Sequence, residues 1–406
     1  MATPYAATAI SGTLGVEDVL SGKQIRDVTK GLYMIVDDNH LAPFVAITAK
    51  NAMSRGPVAK NPYFEWTRKD IFPCWSAAVT SDTAGTTSSF DVTSGEGSFF
   101  KVGDVVEFPE MPISSTTTRV FYITTVATDT LTFGPVGFQA GTTTALTCPA
   151  VNVGMKLHRI ADASDEYSVM PTRKVVKDTQ ETNYIQFLRV PYVIGNLELE
   201  MAQYTGPERA ERRAETLREI KMEFERVLIW GEKGYIAGST GRKYFSRGLK
   251  SFLTVAAGDN LLDWGGGLTE AQLDEYLIEG PCKYGSQRKF WFMSSDLFLK
   301  VHSIAKAKER IVSTKINSMG LAVSEYVAPN GKILYMHQHY MFEEGYEGAG
   351  LIVDPDYIKI RPYGSQGIVK LHEEIQAPDA AGIADEWRII AGLQVDRTEP
   401  HGFQYV

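Results

Sequence analysis

Two histidines separated by one residue, His337 and His339, are the arrangement in the sequence that comes nearest to a metal site. On a β-strand, residues two positions apart face the same side, so both imidazoles could reach one ion. A third ligand would have to come from elsewhere, with Glu343 and His372 as candidates, and no spacing selects either of them. Because hydrogen-bonded histidines at a surface or an interface are more common, we expect no metal and keep His337 and His339 as weak candidates.

A glycine-rich segment precedes two basic residues. Gly234, Gly238 and Gly241 lead to Arg242 and Lys243, and backbone amides together with a lysine can cradle phosphate groups. A phosphate-binding loop, however, follows a strand and has four residues between its glycines, then Lys and Ser or Thr. Neither condition is met, so we interpret the segment as a mobile surface loop and expect no cofactor.

Asp354 and Asp356 flank Pro355 and form a pair of carboxylates that could act as acid and base. An Asp-Pro-Asp sequence between two predicted strands is also typical of a turn, and we prefer that interpretation. A hydrolase built on His337, His339 and Asp354 stays open as a minor alternative, although the common local motifs of hydrolases are absent from the sequence. The sequence therefore predicts no catalytic residue and a protein that is not an enzyme.

The three cysteines, Cys74, Cys148 and Cys282, are far apart and odd in number, so they indicate neither a disulfide framework nor a zinc ribbon. Cys74 and Cys148 bracket a β-rich stretch and could lie near each other as thiols, but a disulfide between them is disfavoured in a cytosolic protein. The N-terminal residues lack the pattern of a signal peptide, and no stretch is long and apolar enough for a membrane span. We expect a protein made in a cytoplasm, without a membrane partner.

The charge balance limits the partners. Lys and Arg total 41 against 49 for Asp and Glu, a formal net charge of -8, which is the wrong sign for a protein that grips phosphate backbones over a broad surface. Contact with DNA is therefore expected to be weak and non-specific.

Residues 77–154 differ in composition from the rest of the chain. Thr, Ser and Gly dominate there, Lys and Arg nearly vanish, and short alternating apolar runs at 99–108 and 119–126 predict strands. Residues 61–66 before this stretch and 174–200 after it also predict strands. We interpret 77–154 as a small all-β domain inserted into a larger host.

Residues 207–230 carry the strongest helical pattern in the chain. Pro207 suits a first turn, Glu208 and Glu211 complement the positive end of the helix dipole, and Gly231 stops the helix. Apolar residues recur at steps of three and four and predict one buried face, formed by Ala210, Ala214, Leu217, Ile220, Phe224, Val227 and Leu228.

The C-terminal half predicts a mixed arrangement of helices and strands. Thr269 and Gln272 form a capping box at the start of a helix over 269–279, and a second helix is predicted over 295–311. Strands are predicted at 289–293, 333–337, 350–354, 357–361 and 387–395. The fold class is therefore α+β.

In this order, the segments resemble the major capsid proteins of tailed bacteriophages (class Caudoviricetes) with the Hong Kong 97 type of fold, in a family with a β-rich insertion in the extended loop. The resemblance is carried by motifs that span nearly the whole chain: the Asn-Pro-aromatic-Glu-Trp stretch at 61–66, the Asn-x-x-Gln strand at 183–187 followed by 190–194, the Arg- and Glu-rich helix at 207–230, Gly248 with the capped helix at Thr269, and the late strand pair at 351–354 and 357–361.

The resemblance implies a division of the chain into capsid domains. It implies an N-terminal arm at 1–40, the two sides of the extended loop at 41–76 and 155–185, the inserted domain at 77–154, a peripheral domain at 186–249 with its spine helix at 207–230, an axial domain at 250–375, and a C-terminal strand segment at 376–406 that returns to the peripheral domain.

The resemblance also implies a structural function. Copies of the chain would assemble as hexamers and pentamers into an icosahedral or prolate head that encloses double-stranded DNA, within a virion built in the bacterial cytoplasm. Scaffold, portal and decoration proteins would be the other partners. The alternative from another class is a β-rich phage tail component or adhesin, in which the Thr-rich domain binds a surface glycan or receptor.

Overall fold

The computed structural model describes residues 42–45, 56–70, 73–83, 88–111, 119–135, 150–162, 166, 175–201, 208–239, 241–255, 260–307, 311–316, 322–343, 345–364 and 367–406. The predicted N-terminal arm at 1–40, Cys148 and Pro207 lie outside these residues.

The described strands, in chain order, are β1 (Tyr63–Arg68), β2 (Trp75–Ala77), β3 (Ser88–Asp91), β4 (Asp104–Glu107), β5 (Val120–Ala127), β6 (Thr130–Pro135), β7 (Lys156–Asp162), β8 (Thr179–Tyr184), β9 (Gln186–Ile194), β10 (Gly234–Gly238), β11 (Gly241–Phe245), β12 (Leu261–Asp263), β13 (Arg288–Met293), β14 (Ile311–Ile316), β15 (Ala322–Val327), β16 (Ile333–Gln338), β17 (Gly350–Val353), β18 (Ile358–Pro362), β19 (Val369–His372), β20 (Ile383–Val395) and β21 (Gly402–Tyr405). The described helices are α1 (Asn196–Glu200), α2 (Glu208–Trp230), α3 (Leu249–Val255), α4 (Glu270–Glu279) and α5 (Ser295–Ala307). The predicted α+β class is confirmed.

The chain divides into two compact units. The β unit comprises Thr67–Gln180, and the main unit comprises the described residues up to Trp66 together with Glu181–Val406. The division falls within β1 and β8, which pair with each other.

The β unit contains one six-stranded sheet in the order β2-β7-β4-β5-β6-β3. Alternate residues of its strands, among them Val106, Ile123 and Phe133, are fully buried in a core of its own. The sheet extends beyond the predicted range 77–154, because β2 and β7 belong to it and Leu157 on β7 lies in its core. The predicted strand at 99–108 is also shorter: a 3-10 turn at Glu96–Phe99 and a left-handed Gly103, with φ 97°, precede β4.

The main unit is built on two sheets. One has seven strands in the order β12-β21-β17-β13-β16-β15-β14, and the other has β20 paired with β9, β18 and β19. Successive side chains of β13 are buried on opposite faces of the larger sheet. Phe290 and Phe292 belong to one core cluster, and Trp291 and Met293 belong to another. A strand buried on both faces accounts for the unbroken apolar run of β13.

Helix α2 begins at Glu208, extends for 23 residues and ends at Trp230. Gly231 ends it where the chain approaches itself closely: a Cβ there would lie 2.5 Å from the Val227 carbonyl oxygen. Ile220, Phe224 and Leu228 are buried as predicted.

The predicted buried face of α2 is wrong at its N-terminal end, where Ala210 and Ala214 are exposed. The first turns of the helix are held by arginines instead. Arg209 and Arg213 both reach the buried carboxylate of Asp385 on β20.

Several other predictions differ from the structure. Residues 42–45, expected in the extended loop, are buried in the main unit with Phe44 at 1% exposure, because an apolar side chain and its backbone amides find partners beside α2. Phe64 and Trp66 belong to the same core. The helix predicted over 295–311 ends at Ala307, since Ile311 already starts β14. The capping box of Thr269 and Gln272 at the start of α4 is confirmed.

Candidate functional site

His339 lies at a buried junction of three chain segments. Its Nε2 is 2.9 Å from Oε1 of Glu225 in the C-terminal part of α2, and neither side chain is exposed. The same carboxylate accepts hydrogen bonds from the backbone N–H groups of Phe44 at 2.8 Å and Val45 at 2.7 Å. Glu225 therefore ties residues 42–45 and the end of β16 to α2.

His337 is also buried. Its ring centroid lies 6.2 Å from that of Phe292, and the ring centroid of His339 lies 5.6 Å from the same ring. Both imidazoles therefore pack around one aromatic ring. Of the proposed third ligands, Glu343 accepts hydrogen bonds from Ser295 instead. In the described part of the chain, no group of three or more His, Cys, Asp or Glu side chains is placed to hold a metal ion.

Asp354 caps a 3-10 turn at Pro355–Tyr357, as the turn interpretation predicts, and its side chain accepts from the N–H of Asp356. The side chain is nevertheless fully buried. Its Oδ2 lies 3.1 Å from Nζ of Lys289, which is equally buried. Lys289 donates further hydrogen bonds to the carbonyl oxygens of Tyr284 and Pro400, each at 3.0 Å. All three ammonium protons thus have acceptors, and the loop before β13 is fixed to the end of β17.

The titration behaviour of this cluster follows from its burial. Burial alone would raise the pKa of Asp354, but Lys289 and the N–H and hydroxyl of Ser286 hold it below its ordinary value. Burial lowers the pKa of Lys289. The two shifts oppose each other, and the full set of acceptors around Nζ favours the ionised pair. Burial also lowers the pKa of His401, whose Nδ1 accepts from the N–H of Asp354 and is therefore unprotonated.

Asp385 on β20 anchors the first turns of α2. Arg209 donates to both of its oxygens at 2.9 and 3.0 Å, and the Tyr192 hydroxyl donates at 2.7 Å. Burial alone would raise the pKa of Asp385, but the bonds from Arg209, from the N–H of Glu374 and from Tyr192 lower it to about 2. The carboxylate is thus ionised at neutral pH and holds the helix against the sheet.

The glycine-rich segment after α2 is a β-hairpin, not the irregular mobile loop that was predicted. Strands β10 and β11 pair antiparallel, with Tyr235 opposite Tyr244 and Ala237 opposite Arg242. At its base, the N–H of Ser246 donates to Gln186 and the N–H of Arg247 donates to Asn183. The Asn and Gln of the Asn-x-x-Gln strand therefore position the hairpin.

One face of the hairpin continues into a surface that we call the tyrosine platform, consisting of Tyr63, Tyr184, Tyr235, Tyr244, Lys233 and Arg242. The ring of Tyr184 lies 5.3 Å from that of Tyr63, 6.1 Å from that of Tyr235 and 5.6 Å from that of Tyr244. The guanidinium of Arg242 lies 5.3 Å from the ring centroid of Tyr235. Such a surface can take part in binding, because it offers large apolar faces together with positive charge.

Cys74 is exposed and Cys282 is buried, and both are free thiols. Burial raises the pKa of Cys282 to about 11, so its thiol is protonated and unreactive at neutral pH. No described helix is long and apolar enough to cross a membrane.

The sequence analysis missed Glu225, Lys289 and the tyrosine platform. Glu225 and Lys289 each carried a local signal: a charge next to Phe224 on the apolar face of α2, and a charge next to the apolar run of β13. The four tyrosines of the platform gave no such signal in the sequence, because they lie on four different strands.

Comparison with known proteins adds to these observations. Structures from Mycobacterium phage Cain (TM-score 0.46, 10% identity, 97% of this chain and 98% of that chain) and Mycobacterium phage Adephagia (TM-score 0.43, 9% identity, 89% and 90%) are similar at a low level. So is the capsid of the Myoviridae phage XM1 (TM-score 0.37, 13% identity, 60% and 80%). No curated protein sequence gives a significant match.

The family match is extensive. Residues 8–403 match the family described as SU10 major capsid protein, and this matched region includes residues of both units of the chain. The match confirms the predicted capsid family and a structural, non-catalytic function. The chain is a protein of the virion and assembles with copies of itself. The chain belongs to the SU10 major capsid protein family.

Proposed function

We propose that this chain assembles as hexamers and pentamers into a closed icosahedral or prolate head around double-stranded DNA. The observation that carries the proposal is the family match over residues 8–403. Shells of this kind need large, repeated contacts between identical subunits.

The domain division of the chain is part of the proposal. The four-stranded sheet around β20, with α2 bound through Asp385, would form the peripheral domain together with the hairpin, and the seven-stranded sheet with α4 and α5 would form the axial domain. This changes the expected bounds: β18 and β19, expected in the axial domain, would be peripheral because they pair with β20, and β21 would be axial because it pairs with β17. One continuous core cluster, which includes Phe224 on α2, Phe292 on β13 and Ile389 on β20, supports a rigid subunit in which these domains move together. The β unit would be the insertion in the extended loop.

Partners beyond the chain itself follow from this function. Scaffold, portal and decoration proteins would join during assembly in the bacterial cytoplasm. DNA would touch the shell only weakly and non-specifically, because the chain carries a net charge of -8. A tail or adhesin function is not favoured, since the family match includes the whole α+β main unit and not only the β unit.

Sedimentation of the purified chain tests the proposal. We expect pentamers, hexamers or closed shells, either for the chain alone or after co-expression with the scaffold of the same phage. A protein that stays monomeric at high concentration in both conditions would contradict it.

A further inference from the structure

The tyrosine platform is exposed although it is largely aromatic. Tyr63 is 41% exposed and Tyr235 is 54% exposed, and Ile236 on the opposite face of the hairpin is 59% exposed. Lys233 and Arg242 make the platform basic, with Glu181 as an acidic group that acts on Lys233. Lys243 lies on the opposite face with Ile236. Exposed rings beside cations suit a partner that offers apolar side chains and carboxylates together.

Another exposed surface of the main unit has this complementary chemistry. We call it the acidic knob, residues 193–201 at the end of β9 and in α1. Its apolar side chains point into solvent: Val193 is 72% exposed, Leu197 is 90% exposed and Met201 is 59% exposed. Glu198 and Glu200 are exposed beside them. Three apolar side chains this exposed within one short segment are unusual for a surface that stays in water.

The two surfaces cannot bind each other within one chain. The hairpin contacts the start of β9 through Gln186, whereas the acidic knob begins at the end of the same strand. The eight steps from Gln186 to Ile194 span about 26 Å at about 3.3 Å per residue. β9 is paired with β20 along this whole length, so the two ends stay apart.

We propose that the tyrosine platform of one copy of this chain binds the acidic knob of a second copy. Leu197 and Met201 would pack on the tyrosine rings, and Glu198 and Glu200 would approach Lys233 and Arg242. Because two different surfaces meet, the contact is head to tail, and it generates rings when its rotation closes. The inference rests on the proposed self-assembly and names the surfaces that carry part of it.

Charge exchange tests this contact. The first variant carries Lys233→Glu and Arg242→Glu, the second carries Glu198→Lys and Glu200→Lys, and the third carries all four substitutions. All four side chains are exposed, so the fold should be retained, and far-UV circular dichroism checks this for each variant. Sedimentation velocity then gives the assembled fraction at matched concentration and salt.

We expect each of the first two variants to assemble at least about tenfold more weakly than the wild type, because like charges then face each other across the contact. The variant with all four substitutions should recover assembly, since opposite charges face each other again. Recovery also excludes misfolding as the cause of the loss.

Cross-linking tests the head-to-tail arrangement. In a background with Cys74→Ser and Cys148→Ser, Arg242→Cys and Glu198→Cys are combined and treated with a bifunctional maleimide. We expect a ladder of covalent oligomers that ends at the size of the ring, whereas each single cysteine should give no ladder. A product that stops at the dimer would contradict the head-to-tail contact.

Three results would overturn the inference while the proposed function stands. In the first, the wild type assembles and the charge variants assemble equally well. In the second, both variants lose assembly and the variant with all four substitutions does not recover, which means that the two surfaces have different partners. In the third, only the platform variant changes, through lost binding of nucleic acid. A wild type that never assembles contradicts the proposed function itself.

Discussion

Nε2 of His339 lies 2.9 Å from Oε1 of Glu225, and both side chains are completely buried. The pair connects α2 to the seven-stranded sheet, and the same carboxylate holds residues 42–45 through two backbone N–H groups. His339, a weak metal candidate in the sequence, is thus a structural link within the main unit.

We predict that Glu225→Ala lowers the free energy of unfolding by about 3 kcal/mol, because His339 and the N–H groups of Phe44 and Val45 lose their buried acceptor. Glu225→Gln should cost less, since its amide oxygen still accepts. Urea denaturation measures both. Arg226→Ala, at the exposed neighbouring position, is the matched control and should change stability by less than about 0.5 kcal/mol. Equal losses for Glu225→Ala and Arg226→Ala would show that the junction contributes nothing.

Asp385 should make the free energy of unfolding depend on pH in the acidic range. Its folded-state pKa of about 2 lies below the ordinary value of 3.8, so its contribution is present above about pH 4 and is lost as the pH falls towards 2. We predict that the stability difference between the wild type and Asp385→Asn shrinks by about 2 kcal/mol from pH 6 to pH 2. Denaturation curves at the two pH values measure it, with the exposed Asp379→Asn as control. A difference that is independent of pH contradicts the ion pair with Arg209.

The buried pair of Lys289 and Asp354 should behave as a coupled unit. Lys289→Met or Asp354→Asn alone leaves one partner buried without its counterion and should cost about 3–5 kcal/mol. The double variant should cost clearly less than the sum of the two, because no uncompensated charge remains. Equilibrium unfolding of the four proteins of this cycle gives the coupling, and strictly additive losses would disprove it.

The β unit should fold independently of the main unit. Nζ of Lys69 lies 3.9 Å from a carboxylate oxygen of Asp178, so a short Gly-Ser linker can replace residues 70–177. We predict that this deletion leaves a main unit that melts cooperatively, and that an isolated fragment 67–180 folds around its own core. Circular dichroism with thermal melting tests both.

A shorter deletion is the matched control for this experiment. Removing only residues 77–154 would leave β7, with Leu157, without the core that covers it, so this variant should aggregate. If the longer deletion aggregates and the shorter one folds, the boundaries at 67 and 180 are wrong.

Local chemistry explains what could be predicted from the sequence. The capping box of Thr269 and Gln272 needs only residues three apart, and the buried face of α2 at Ile220, Phe224 and Leu228 follows from helical periodicity. The same periodicity failed at Ala210 and Ala214, because small residues fit an exposed face as well as a buried one. Arginines close to them in sequence hold that end of the helix through Asp385.

The site could not be predicted because its partners are distant in the chain. Glu225 and His339 are 114 residues apart, and Lys289 and Asp354 are 65 residues apart. Spacing carries no information about such contacts. The hairpin was missed for another reason: its glycines suggested flexibility, whereas the cross-strand pair of Tyr235 and Tyr244 and the bonds from Asn183 and Gln186 define it.

Electron microscopy of the assembled chain tests the central claim most directly. The account predicts closed shells whose capsomers show fivefold and sixfold symmetry, with the chain as the principal component of the wall. Fields that contain only single, unassembled subunits, at high concentration and with the scaffold of the same phage present, would contradict it.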